Sequence, residues 1–355
     1  MLKTSKTARA HVHWKIKLPG VTHAISPSRT IRTNPLVMGD LVFASLWAPG
    51  AVCAVSRESG ELLWMRDLDS YASSSVFVHG GVLYATSVRT LYALDPKSGR
   101  TLWEFSPKRG SGEWIYSQPA VKAGRVFLGD RCGYLHCLEA KSGKPIWRRQ
   151  SSRDRNNQVN STAVIAGGRV ITANNQGAVI CYSVETGKTL WRQQVDAACI
   201  SELLRLRTNV VVAAKSLYCI DLRTGAVRSR FTFPKHIVTS VAVLGKRVGF
   251  VLGTDFEVEP SAWNNPLAFN GELLILEQGR EKARQALNGT PHIRFDSETG
   301  VIYAVNHSKM VMIDSSDAST VESHPGEFAL PDVSDGNFYA LSRNGELSSR
   351  PVITS

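Results

Sequence analysis

The phrase Ser/Thr-Gly-x-x-x-Trp recurs along this chain. It reads Ser59-Gly60…Trp64, Ser98-Gly99…Trp103, Ser142-Gly143…Trp147 and Thr186-Gly187…Trp191. A step of about 40 residues between copies marks a repeat architecture, in which each unit buries its apolar face only against its neighbours. In the third copy, apolar runs at 118–121, 125–128, 134–139 and 145–149 are separated by turns containing Gly124, Gly129, Gly133 and Gly143. The fourth copy repeats the plan at 161–165, 169–173, 178–183 and 189–193. Short β-rich runs with a glycine at each reversal read as antiparallel strands. No segment holds a helical period over the length of a helix. Four strands per unit predicts the blade of a β-propeller.

Alignment on the repeat glycine separates two columns. Six residues before it stand Ala54, Ala93, Cys137, Cys181 and Cys219, all small. Five residues before it stand Val55, Leu94, Leu138, Tyr182 and Ile220, all large. Neighbours on a strand point to opposite faces, so the pattern fits a sheet buried on both sides. The small column suits close packing between blades, and the Trp four residues after the glycine is expected to cover the gap to the next blade.

Clear units end at Trp64, Trp103, Trp147 and Trp191. A fifth, around Thr224-Gly225, has lost its Trp. Weaker units follow: a sixth from 237, a seventh from 292 and an eighth from 327 that lacks an outer strand. Residues 12–18, with Trp14, supply the missing strand and would close the ring, removing the exposed edges of an open one. The expectation is an all-β, eight-bladed propeller spanning 1–355 as a single domain, with seven blades as the alternative count. Residues 1–11 are read as a flexible N-terminus, and 254–271 as a loop insertion in blade six.

The stretch from Leu91 to Trp103, Leu-Tyr-Ala-Leu-Asp-Pro-Lys-Ser-Gly-Arg-Thr-Leu-Trp, resembles the PQQ-like, quinoprotein-type β-propeller repeat. The resemblance is strong over 34–195 and weaker over 236–352. It implies the propeller fold, with Gly60, Trp64, Gly99, Trp103, Gly143, Trp147, Gly187, Trp191 and Trp14 as blade-packing residues. Members range from quinone-dependent alcohol dehydrogenases to non-enzymatic scaffolds of BamB-like architecture. The dehydrogenases are much longer, and carry adjacent cysteines against the quinone and a Ca²⁺ site with an Asp base.

This chain has no adjacent cysteines. Its six are Cys53, Cys132, Cys137, Cys181, Cys199 and Cys219, and no pair of pairs has zinc-site spacing. There is no Gly-x-Ser-x-Gly elbow, phosphate-binding loop or His-Glu-x-x-His. His11 and His13 share a strand face and could hold a metal, but read better as exposed strand residues. No catalytic residue, cofactor or metal is therefore expected, and an enzyme dependent on PQQ is the least favoured reading.

Residues 1–18 lack an apolar core of signal-peptide length, no cysteine precedes Cys53, and no stretch reaches a membrane span. With cysteines that look unpaired, this gives the expectation of a cytoplasmic protein without membrane insertion, and a monomer.

The formal net charge is +12. Between Lys97 and Arg155 thirteen Lys/Arg face five acids. A basic sector of this kind attracts nucleic acid or another polyanion, which is one alternative function. Strand alternation sorts the connections into two rims. Turns between strands one and two, and three and four, form the first. Blade-to-blade links and the connections between strands two and three form the second. The second rim holds the irregular segments and the insertion, and binding usually sits on such loops. The candidate contact residues are Lys108, Arg109, Arg131, Arg153, Arg155, Asn174, Asn175, Phe256, Trp263 and Asn264. The favoured expectation is a non-catalytic scaffold that binds a protein partner through this rim.

Overall fold

Tight turns containing Gly and alternating apolar residues force this chain to reverse every few residues, and the strands pair with their sequence neighbours. A computed structural model describes residues 13–25, 33–107, 114–152, 157–199, 203–233, 236–244, 247–254, 270–278, 280–288, 292–297, 299–305, 309–326 and 328–352. The described strands form eight four-stranded antiparallel sheets. Blades 1 to 8 cover 36–67, 77–105, 120–150, 164–194, 204–231, 236–288, 292–325 and 332–351. The eighth takes its outer strand, Trp14–Lys17, from the start of the chain, with Trp14 opposite Ser349 and Lys17 opposite Glu346. The count is eight, and the ring is closed by the N-terminal strand as its sequence indicated. No helix among the described residues is long and apolar enough to cross a membrane.

The core is split into eight apolar clusters, one at each joint between blades. Adjacent positions of one strand serve opposite joints. Cys181 packs toward blade 5, while its neighbour Tyr182 packs toward blade 3. The small column has a more specific cause than blade spacing. Ala54, Ala93, Cys137, Cys181 and Ser349 each sit directly across from the blade's Trp, at Trp64, Trp103, Trp147, Trp191 and Trp14, and only a small partner leaves room for the indole. A β-bulge follows that pair in blades 1 to 4.

Each indole reaches across the joint and clasps the next blade. Trp14, Trp64, Trp103, Trp147 and Trp191 donate Nε1–H to the carbonyls of Arg57, Pro96, Ala140, Val184 and Leu222, at 2.8, 3.0, 2.9, 3.1 and 3.2 Å. Three residues after each acceptor lies the repeat glycine, over which the ring lies flat. A Cβ on Gly143 would fall 2.5 Å from the Trp103 ring, and the φ of +69° at that residue is itself a left-handed conformation that glycine adopts without strain. The five clasps join blades 8–1, 1–2, 2–3, 3–4 and 4–5.

The remaining joints lack them. At the Trp register stand Ser229, Ala283 and Glu322. Blade 6 also has longer strands than the others: His236–Leu244, Arg247–Thr254, Asn270–Glu277 and Arg280–Asn288. The insertion read as a loop over 254–271 is therefore strand at both ends, with Gly253 paired to Gly271.

Candidate protein-interaction rim

The second rim is built from short loops whose first residue caps its own turn. Ser87 Oγ accepts from the backbone N–H of Arg89 and Thr90, Asp130 Oδ1 from that of Tyr134, and Asn174 Oδ1 from those of Gln176 and Ala178. These loops are tied to the blade-to-blade links by backbone hydrogen bonds that run around the ring. Val88 N donates to Tyr71 O at 3.0 Å, Ile115 N to Val88 O at 2.9 Å, Arg131 N to Trp114 O at 2.8 Å and Val159 N to Asp130 O at 2.9 Å. A β-carbon on Gly133 would collide with the Asn157 carbonyl, so that approach requires glycine. The described loops of this rim are thus cross-tied to the links beside them.

On this frame stand two aromatic pairs, one on each side of Val88. Trp47 stacks on Tyr71 with ring centres 4.7 Å apart and planes 11° from parallel. Tyr71 and Trp114 are 50% and 41% exposed. They flank Val88, whose N–H and C=O bond to Tyr71 and to Ile115. Tyr116 meets Trp114 edge-on at 6.2 Å, and the Arg131 guanidinium lies 4.8 Å from the centre of the Trp114 ring. Such a cation–π contact is worth about 0.5–1 kcal/mol at an exposed site. Burial raises the Tyr116 phenol above its ordinary pKa, against an opposing pull from Arg131.

Of the residues expected to make partner contacts, Arg131, Asn174 and Asn175 are described. Arg131 belongs to the aromatic patch. Asn174 lies on the rim but is only 1% exposed and its side chain is engaged by its own loop, so it cannot face a partner as expected. Half-buried Asn175 accepts a hydrogen bond from Gln158 N at 2.9 Å, tying two segments together. Lys108, Arg109, Arg153, Arg155, Phe256, Trp263 and Asn264 lie outside the described residues.

Apart from Arg131, the described basic residues of this sector lie elsewhere. Lys97, Arg100, Lys122, Arg125, Lys141 and Lys144 flank turns on the first rim, opposite the aromatic patch. Arg148 and Arg149 are on an outer strand, where Arg149 donates to the Thr186 and Gly187 carbonyls of blade 4.

Polar groups of the second rim serve its architecture. His136 Nε2 lies 2.7 Å from Asp130 Oδ2, both buried, joining the loop of blade 3 to its third strand. Asp196 accepts from Ser216 Oγ at 2.5 Å and from Arg230 at 2.9 Å, latching the link into blade 5. Burial raises the Asp196 pKa, but the Ser216 and Arg230 hydrogen bonds outweigh it and hold the carboxyl below its ordinary range. The six cysteines form no disulfide, and burial raises the pKa of Cys53, Cys181 and Cys199 to about 12. Among the described residues, no three His, Cys, Asp or Glu side chains are arranged to hold a metal ion.

Sequence reasoning passed over Trp47, Tyr71 and Trp114. A signal existed for two of them. Of the eight Trp, five occupy the clasp register, and Trp47 and Trp114 do not.

The family model described as outer membrane protein assembly factor BamB matches residues 7–231, which end where blade 5 ends. No curated protein matches the chain in sequence. Among solved structures, the computationally designed Ika8 protein superposes with a TM-score of 0.74 at 14% identity, over 95% of this chain and 98% of that one. BamB from Moraxella catarrhalis gives 0.56 at 15% identity, over 96% and 99%. Quinohemoprotein alcohol dehydrogenase from Comamonas testosteroni gives 0.74 at 13% identity, over 95% and 76%. The fold is thus common to an assembly factor, a dehydrogenase and a designed protein, and does not itself select an activity.

Proposed function

Because this chain belongs to the PQQ-repeat propeller family described as outer membrane protein assembly factor BamB, we propose that it is a non-catalytic scaffold that binds a protein partner through its second rim. The observation that carries this reading is the exposed pair Tyr71 and Trp114, fixed on either side of Val88 and flanked by Trp47 and Arg131. Trp, Tyr and Arg are the side chains that most often anchor protein interfaces, and the two rigid aromatics bury much area with little entropy loss. Exposed apolar residues elsewhere, such as Leu63, Leu102, Ile146 and Leu190, recur one position before each Trp and belong to the regular outer strands. Tyr71 and Trp114 break that regularity and sit on loops.

The test is capture from a lysate of the source cells by the immobilised full chain. The double variant Tyr71→Ser/Trp114→Ser is expected to lose specifically retained proteins, and Arg131→Ser to weaken retention. The first-rim variant Lys141→Ser/Lys144→Ser should retain them. Equal capture by the wild type and the aromatic double variant would refute the reading. Quinone-dependent alcohol oxidation by the purified chain would contradict its non-catalytic part.

A polyanion remains a second reading, and the location of the charge moves it to the first rim. Exposed Lys97, Arg100, Lys122, Lys141 and Lys144 favour it there. It requires binding of single-stranded or duplex nucleic acid that weakens steeply with salt; no binding at low salt removes it.

A further inference from the structure

The three unclasped joints do not compensate for the missing indole in the same way. At joint 6–7, Ala283 takes the Trp register, but the residue across from it is Ile275, buried in the joint's apolar cluster. The turn position of blade 7 that glycine holds elsewhere is Ala318, with φ of +63° and its side chain in the same cluster. At joint 7–8, Glu322 faces Met312, also fully buried. In both, a large side chain has returned to the strand opposite the lost ring.

Joint 5–6 has no such replacement. Its register pair is Cys219 and Ser229, so both sides of the position are small. Further along the same row of blade 5 stand Val211 and Leu204, where blades 1 to 3 have Phe43, Tyr84 and Phe127 in the second strand. The facing turn of blade 6 is also shortened. Glu277 pairs with Arg280, a shorter connection than the four-residue turn whose first carbonyl receives the indole N–H in the clasped joints. A cavity of about 150 Å³ remains, walled by Leu206, Val211, Leu217, Phe231, Val248 and Leu276 and bordered by Cys219, Ser229 and Gln278.

We propose that this cavity is a binding site for a small planar aromatic molecule of one or two rings, seated where the other joints hold their own indole. The cavity's size and lining match the chemistry. A pocket of about 150 Å³ lined mainly by aliphatic and aromatic side chains has room for a benzene-sized ring. The frame around it is that of the five Trp sites: a small residue on the third strand, an apolar wall on the next blade, and a turn at the mouth. Ser229 and Gln278 supply polar atoms at the border for a ring N–H or O–H. The site lies between blades, away from the aromatic rim patch, and stands or falls independently of it.

The test uses the full chain with indole as probe, by calorimetry and thermal melting. Wild type is expected to bind one indole and to melt about 2–4 °C higher at saturating probe. Cyclohexanol, apolar but not flat, should bind at least tenfold more weakly. Ser229→Trp installs an internal ring; it should melt higher than wild type without probe and lose the response to indole. Should that variant fail to fold, Ser229→Leu fills the same space with less bulk and should also weaken indole at least tenfold. Wild type that shows no binding, or unchanged indole affinity in the folded Ser229 variant, overturns the proposal.

Discussion

The ring is built in two ways. From blade 8 through blade 5, five joints are each held by an indole that covers a glycine and bonds to a fixed carbonyl. From blade 5 round to blade 8 no indole spans the joints: apolar clusters fill them, and at joint 6–7 Arg247 donates to the Ser315 carbonyl at 2.7 Å in place of an indole N–H. The difference shows that the repeated phrase is one half of a bipartite device. Trp in one blade and glycine in the next are required together, and they disappear together: where Ala283 replaces Trp, Ala318 replaces glycine. The clasped sector also carries the aromatic patch, and the family match ends where the clasps end.

Removing a clasp should have the largest effect. Trp147 is the most buried of the five, 8% exposed, with Phe127 and Tyr182 against its ring. Trp147→Ala is expected to lose about 3–5 kcal/mol of stability, the range for deleting a buried aromatic ring. Denaturant unfolding followed by circular dichroism reads this; a loss below about 1 kcal/mol would mean that the clasp does not hold the joint.

Next comes the other half of the device. Gly143→Ala should cost roughly 2 kcal/mol, from a strained left-handed φ and displacement of the Trp103 ring. Adding Trp103→Ala removes the steric part, so the double variant should be less destabilised than the sum by about 1 kcal/mol. Strict additivity would show that indole and glycine act independently. Ala318→Gly lies outside the clasped sector and should change stability by less than about 1 kcal/mol, since it relieves φ strain while giving up a buried methyl.

The smallest effect is on pH dependence. Asp196 has a lowered pKa in the folded chain, so the carboxylate contributes stability that is present above about pH 4 and is lost as the pH falls through its lower folded value. Asp196→Asn should therefore narrow the stability difference between pH 5 and pH 3, measured by melting at each pH. An unchanged difference would show that the Ser216–Arg230 latch does not sense protonation.

Much of the ring was legible because its determinants are local and repeated. A period of about 40 residues, a glycine per turn and alternating columns specify strands and their faces. The closing strand was legible from Trp14, which has the clasp residue but no blade of its own. The rim patch was not, because Tyr71 and Trp114 come from irregular links whose geometry depends on hydrogen bonds to Val88 and Arg131. Asn174 was misjudged for a related reason. An Asn in a loop reads as exposed, yet its oxygen is engaged by the backbone of that same loop. The loss of Trp from blade 5 was visible, but the cavity it leaves was not. That depends on Cys219, Ser229 and the shortened blade 6 turn meeting across a joint.

Amide hydrogen exchange resolved along the chain tests the central claim most directly. If the clasps divide the ring, amides in the central strands of blades 1 to 4 exchange only through global unfolding, while those of blades 6 and 7 open at lower free energy. Ser229→Trp should then raise protection on both sides of joint 5–6. Uniform protection around the ring, or earlier opening of the clasped blades, would contradict the account.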